Sequence, residues 1–397
     1  MNRLPANEAL QRRANIALIS AFFVFLWLPT ADTFLHLDHA MATDENRALA
    51  EFPKYKFHAN LRKNGEYLTG LQRYFNDHFG FRRRLVRWEH QCKWTAFHDL
   101  RSDSAIAGKS DWLFYSDRQM VFDLQGRHPF SGTELANWQA LLTGRRDWLA
   151  QRGIRYLFVV PPDKHSIYPE YLPAWLLASA QPRRRIDQFF THMKAHSDVP
   201  VLDLRNALLE SKPSGRLYMM TDTHWNDRGA FAAYGRMMVA LAEAGIRGKA
   251  WSIKDFEQGV KNSPGGDLAL TLRQKDRLLE INEPYLLAKA TLPLLTCQWE
   301  SSDLSPGLHF FTWRNAAMNG RLLVFRDSFM NTMAPFLAHS FQRVALIWQQ
   351  NWDKGLIERE KPDIVIDEMV ERFLIWRDPV ELKKADEQIG RHLTNLE

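Results

Sequence analysis

Residues 321 to 336, RLLVFRDSFMNTMAPF, pass from an apolar run through three polar positions into a segment with helical spacing. Leu322 to Phe325 read as a short buried strand, since four consecutive apolar residues leave neither face for water. A strand that feeds a helix through Arg326, Asp327 and Ser328 is the unit from which open, mostly parallel sheets are built.

The same alternation extends outward. Apolar, β-branched runs occur at 154–160 (IRYLFVV), 200–204 (PVLDL), 344–348 (VALIW) and 364–366 (IVI), each beside a polar or proline-containing turn. Helical patterns separate several of them, including ELANWQALLTGRRDWLAQRG from residue 134 and DRGAFAAYGRMMVALAEAG from residue 227. The expected fold class is α/β: three layers, α/β/α, with a mostly parallel sheet. Ligands of such sheets bind outside the carboxyl ends of the strands. That rule marks the PPDKHS loop after Val160, the loop after Leu204 and the RDSF segment after Phe325.

The chain has 397 residues, 45% hydrophobic and 25% charged, which is a globular composition. Lys and Arg exceed Asp and Glu by six, in short clusters such as Arg82-Arg83-Arg84 and Arg183-Arg184-Arg185. A basic surface attracts polyanions. No nucleic-acid-binding motif is present and acidic clusters are interleaved, so an anionic polysaccharide or membrane surface is the expected partner, not nucleic acid. Cys92 and Cys297 are the only cysteines and no ligand spacing accompanies them, so no metal and no cofactor are expected. One disulfide or two separate buried thiols both fit them.

Residues 14–31, ANIALISAFFVFLWLPTA, form an uncharged apolar run behind Arg12-Arg13. Its length suits a bilayer, and the preceding positive charges hold the N-terminus in the cytoplasm. The expectation is a transmembrane anchor helix with the remainder exported: residues 1–44 as cytoplasmic tip, signal-anchor and juxtamembrane stretch, residues 45–397 as the main domain. Ala40-Met41-Ala42 has the form of a cleavage site, which would instead give a soluble exported product, but it lies far beyond the apolar run. Between anchor and domain, LTGLQRYFNDHFGFRRRLVRW carries apolar stripes on either side of Gly80 and reads as a helical lead-in packed on that domain.

Serine needs a base to take its proton and a third group to orient that base. In TDTHWNDRGAF, 221–231, Asp222 and His224 stand two apart and project to one side if the backbone is extended. The stretch also reads as a polar loop whose Asn226 or Asp227 caps the following helix. Ser328 is the candidate nucleophile, at a sheet edge where its own N–H and a helix N-terminus face a developing oxyanion; Asp327 or Ser328 could equally serve as a helix cap.

Read together, TDTHWNDRGAFAAY, GKSDWLFY (108–115), VVPPDKHSIYPEYLP (159–173), SPGGDLAL (263–270) and VFRDSF (324–329) resemble the AlgX/AlgJ-like, alginate O-acetyltransferase branch of the SGNH hydrolase superfamily, from about residue 45 onward. That resemblance implies an exported polysaccharide O-acetyltransferase in which Asp222 orients His224, His224 serves as general base and then acid, and Ser328 carries the acetyl group. It also implies a membrane acyl-transfer protein as acetyl supplier and a periplasmic, inner-membrane-anchored location. An esterase or deacetylase with the same triad, and a non-catalytic subunit of a polysaccharide-modification complex, are the alternatives. Arg326 stands where the superfamily motif has glycine, and with Lys164, Tyr168 and Trp225 it forms the set of expected substrate or oxyanion contacts. For Trp225 core packing, and for Lys164 a solvated loop, are the competing readings.

Overall fold

The computed structural model describes residues 6–35, 50–54, 61–82, 84–85, 88–89, 101–301 and 309–394. Cys92 and Ala40-Met41-Ala42, on which the disulfide and cleavage-site readings fall, lie outside these; Cys297 is exposed. The chain divides into two compact units, Met1–Leu100 and Arg101–Glu397, so the lead-in falls in the same unit as the N-terminal helix.

In the first unit a helix spans Ala6–Leu35, and its stretch Gln11–Pro29 is long and apolar enough to cross a membrane. Phe22, Phe23, Phe25 and Trp27 are more than half exposed, an apolar surface left uncovered among the described residues. A second helix, Leu61–His78, ends just before Gly80. A Cβ on Gly80 would lie 2.1 Å from the Pro29 carbonyl oxygen, so the chain needs glycine where it passes the first helix.

The second unit carries eleven described strands: β1 (Ala105–Ala107), β2 (Leu113–Tyr115), β3 (Arg155–Val160), β4 (Val201–Asp203), β5 (Phe256–Ser263), β6 (Glu280–Ala288), β7 (Thr296–Ser301), β8 (His309–Arg314), β9 (Arg321–Phe325), β10 (Arg343–Ile347) and β11 (Ile364–Glu368). Seven form one sheet in the order β4-β3-β11-β9-β10-β8-β7. The five strands expected from the sequence are its parallel part, with β10 beside β9 and Ile347 opposite Phe325. β8 and β7 extend the sheet antiparallel. Their sequences, HFFTWR in β8 between β10 and β7 and TCQWES in β7 at the edge, mix polar and aromatic positions, as strands with a wet face do, and so lack the continuous apolar run that marks the others.

Two apolar clusters lie on opposite faces of the sheet. Val324, Leu346 and Ile366 join the helix Asp227–Glu243 on one side; Leu323, Phe325 and Val365 join Leu141, Leu142 and Leu149 of the helix Gly132–Ala150 on the other. Alternate residues of each central strand thus feed alternate layers. The Gly132–Ala150 helix starts at a capping box, Ser131 with Glu134, worth about 1 kcal/mol. The Asp227–Glu243 helix starts at Asn226, whose side chain accepts from Arg228 and Gly229 N–H. Asp227 is not the cap: its carboxylate accepts from Leu286 N–H and ties the helix to β6.

Candidate active site

β9 ends at Phe325, and the next helix begins only at Met330, capped by Phe329 without any side-chain hydrogen bond. Ser328 is therefore free of the capping role. Its turn is built by Asp327, whose Oδ1 accepts from Phe329 N–H at 2.9 Å and whose Oδ2 accepts from Val370 N–H at 2.7 Å. Glu368, at the end of β11, lies beneath and accepts from Asp327 N–H at 2.8 Å. Burial, then the adjacent Asp327 charge, pushes the Glu368 carboxyl well above the usual range. Trp225, fully buried, donates its indole N–H to Phe329 O at 3.0 Å and fixes the far side of the turn.

The fold brings Ser328 to His224, 104 residues earlier: Ser328 Oγ lies 2.6 Å from His224 Nε2. His224 Nδ1 lies 2.6 Å from Asp222 Oδ1. Burial raises the Asp222 carboxyl, but hydrogen bonds from the His224 ring and from the backbone of Asp267 and His224 outweigh it and hold the group down at about 2. An ionised Asp222 only accepts, so His224 carries its proton on Nδ1 and offers the Nε2 lone pair to the Ser328 hydroxyl. Asp222, His224 and Ser328 are all partly exposed, so the hydroxyl is open to solvent on one side. Ser328 N–H has no acceptor among the described residues, so it is left to donate to an incoming group.

A second set of residues holds the Asp222 loop. Asp267 N–H donates to Asp222 Oδ2 at 2.9 Å, and the Asp267 carboxylate accepts from Thr223 N–H and Oγ1–H at 2.8 and 2.6 Å. A Cβ on Gly266 would meet Asp222 Cβ at 2.3 Å, so only glycine permits this approach. Glu280, buried at the start of β6, accepts from Met220 N–H, Thr221 N–H and Thr221 Oγ1–H, and pairs with Arg216 at 3.0 Å. The sequence flagged SPGGDLAL without assigning it a role; its Gly266-Asp267 pair is the seat of the Asp222 carboxylate. Glu280 carries no local signal, because its partners lie some 60 residues away.

Asp222, His224 and Asp267 present ligand atoms within 4.8 Å of one another. A divalent ion there would need the Nδ1 lone pair, which the Nδ1–H bond to Asp222 occupies, so the donor set fits proton relay better than metal binding.

Three expected contact residues are elsewhere engaged. Lys164 is 3% exposed, not a solvated loop residue, and donates Nζ–H to Leu113 O and Met220 O, joining β2 to the loop before Asp222. Burial lowers its ammonium to about 8. Tyr168 is buried and its hydroxyl accepts from Leu217 N–H. Trp225 is core. None of the three presents its polar end to a substrate. Arg326 does lie in the turn that carries Ser328: its Nη1 donates to Asp327 O and to Asn331 Oδ1 at 3.1 and 2.6 Å, and its guanidinium covers one face of Trp348 at 4.1 Å. Trp348, which the sequence assigned to a strand, is the first residue past β10 and is 58% exposed.

Two larger cavities lie away from this centre. One of about 910 Å³ sits at the opposite, amino ends of the strands, lined by Arg155, Gly320 and Asp363; another of about 620 Å³ is lined by Phe122, Asp123 and Trp376. Asp222, His224 and Ser328 line neither.

Residues 105–293 match the family model described as the SGNH hydrolase-like domain of the acetyltransferase AlgX. The match includes Asp222 and His224 and stops before Ser328. The chain is 24% identical over 205 residues to "Probable alginate O-acetylase AlgJ" of Azotobacter vinelandii, covering 52% of this chain and 50% of the relative. The AlgJ of Pseudomonas aeruginosa is 26% identical over 183 residues, covering 45% and 44%. The chain thus spans about half the length of the curated relatives it matches. Among solved structures, a DHHW family protein from Eubacterium siraeum superposes with a TM-score of 0.53 at 14% identity, over 72% of this chain and 97% of the other, a likeness of fold.

Proposed function

We propose, from the premise that this chain carries an SGNH hydrolase-like domain of the AlgX/AlgJ-like branch, that it is an O-acetyltransferase acting on hydroxyls of an exported polysaccharide. The observation that carries the reading is the relay from Asp222 through His224 to Ser328, two contacts of 2.6 Å each.

In the proposed cycle His224 Nε2 takes the Ser328 proton as Oγ attacks the donor's acetyl carbonyl, and the oxyanion forms against Ser328 N–H. The tetrahedral intermediate collapses, the leaving group departs with the proton from His224, and acetyl-Ser328 remains. A sugar hydroxyl then attacks this ester, His224 takes its proton and returns it to Ser328 Oγ, and the acetylated sugar leaves. Asp222 keeps the Nδ1–H tautomer and stabilises the imidazolium formed in each half-reaction.

The apolar, exposed N-terminal helix supports an inner-membrane anchor with the second unit in the periplasm, where the donor would be a membrane acyl-transfer protein. The names of the AlgJ relatives support an alginate-like acceptor. The test is acetyl transfer to polymer by wild type and Ser328→Ala; equal product from both would remove the serine mechanism. A second reading, an esterase, is favoured by the solvent-open side of the relay, since water could take the place of the sugar hydroxyl. Free acetate as the sole product in excess oligosaccharide would select it.

A further inference from the structure

The Asp267 carboxylate faces more than the Thr223 backbone. Its Oδ2 lies 4.0 Å from His224 Nδ1. Between them stands the Thr223 hydroxyl, 2.6 Å from Asp267 Oδ2 and 3.2 Å from His224 Nδ1. The neighbours fix which atom donates. Nδ1 already carries the proton it gives to Asp222, so Thr223 Oγ1 cannot donate to it, and the hydroxyl proton goes to Asp267. The lone pairs of Thr223 Oγ1 are then left for Nδ1–H, which has two acceptors, Asp222 Oδ1 at 2.6 Å and Thr223 Oγ1 at 3.2 Å.

Asp222 and Thr223 reach the ring from its own loop, Asp267 from the start of the short helix Asp267–Thr271, and Ser328 and Phe329 from the nucleophile turn. The Lys164 ammonium feels the Asp222, Glu280 and Asp267 carboxylates, and Glu280 is paired with Arg216. Two carboxylates thus converge on Nδ1. The Asp267 side chain is 38% exposed, so its charge acts in nearly aqueous surroundings. Even there, two unit charges 4 Å apart alter a protonation equilibrium about fivefold.

We propose that Asp267 is a second positioning carboxylate of the relay: through the Thr223 hydroxyl it holds His224 in the Nδ1–H tautomer, and with Asp222 it stabilises the positive charge the ring acquires from Ser328. The proton taken from Ser328 Oγ resides on Nε2 until it is passed on, and the Nδ1 proton stays on the ring throughout. The inference rests on the serine mechanism proposed above. It gives the Gly-Asp pair of SPGGDLAL two functions: Gly266 admits the Asp222 side chain, and Asp267 acts on the imidazole that Asp222 orients.

The test follows kcat/KM of the full chain in detergent micelles for cleavage of an activated acetyl ester between about pH 5 and 8, a range that spans imidazole titration, with Ser328→Ala as the blank. Asp267→Asn keeps an acceptor for Thr223 N–H and keeps its own N–H on Asp222, so it removes the charge and little else. The acid limb of the profile, where His224 takes up a proton and ceases to be a base, is expected to move down by roughly 0.7 pH unit, the fivefold effect on a logarithmic scale. The plateau above it should fall severalfold. Thr223→Val should move the limb in the same direction, and Thr223→Ser should leave it in place. Asp267→Asn combined with Thr223→Val should go no further than Asp267→Asn alone, because both cut one path. Melting curves identify any variant that is poorly folded. A brace without electrostatic effect would lower the plateau and leave the acid limb where it is, and that result in Asp267→Asn would overturn the inference. An unmoved limb in Thr223→Val, or losses that simply add in the double variant, would overturn the path through the hydroxyl. Equal cleavage by wild type and Ser328→Ala would instead remove the serine mechanism itself, a result that no behaviour of the Asp267 variants can imitate.

Discussion

Asp267 N–H reaches Asp222 Oδ2 at 2.9 Å because the preceding residue, Gly266, has no side chain to hold the two loops apart. An added methyl would have to occupy the position of the Asp222 side chain, with its backbone Cα only 2.8 Å away, so the carboxylate itself must move. Gly266→Ala should therefore cut transfer on the order of a hundredfold, the usual cost of displacing an orienting group by about 1 Å. Polymer affinity, measured alongside, separates a lost orienting group from a lost substrate contact. Steady-state transfer rates beside calorimetric affinities decide this; unchanged turnover would show that the close approach does not matter.

Glu280 governs the same loop from the other side. Glu280→Ala leaves Met220 and Thr221 N–H groups without their acceptor and Arg216 without its partner, a loss of about 3 kcal/mol. A drop in melting temperature together with a drop in turnover is expected. Loss of neither would contradict the bracing role.

The Asp222 carboxyl gives a pH-dependent signature. Its value in the folded chain, about 2, lies below the ordinary 3.8, so it contributes stability that is present above about pH 4 and lost as pH falls through 2. The contribution is on the order of 2 kcal/mol. Unfolding of wild type and Asp222→Asn, followed between pH 6 and 2, should show a stability gap that narrows toward acid. A gap independent of pH would mean that the hydrogen bonds, not the charge, hold Asp222.

The N-terminal helix predicts membrane retention that survives an alkaline wash. Removal of residues 1–31 should release the protein into the soluble fraction, because the exposed Phe22, Phe23 and Trp27 go with the segment. Retention of the shortened chain would place the membrane contact elsewhere.

The sequence carries the parallel sheet plainly, because buried central strands write themselves as continuous apolar runs: Leu322 to Phe325 and Ile364 to Ile366 need no partner to be recognised. β7 and β8 escape the same reading since a strand with a wet face has no such run. Asp222, His224 and Ser328 are visible as types at suggestive places, and the fold supplies what spacing cannot, the 104-residue closure between His224 and Ser328. The wider contact set is where residue type misleads. Lys164 looks solvated from its loop, yet the carbonyls of Leu113 and Met220 claim its ammonium, while Trp348 looks like core at the end of an apolar run and emerges exposed against Arg326. Side-chain direction at a strand's last residue depends on where the strand stops, which composition alone does not fix.

The central claim is that Ser328 carries the acetyl group through a base that Asp222 orients. Its most direct measurement is mass spectrometry of the full chain after brief exposure to an activated acetyl ester. The account predicts one added acetyl on the peptide containing Ser328 in wild type, none at that position in Ser328→Ala, and slow accumulation in Asp222→Asn. Transfer activity with Ser328 unlabelled, or undiminished in Ser328→Ala, would contradict it.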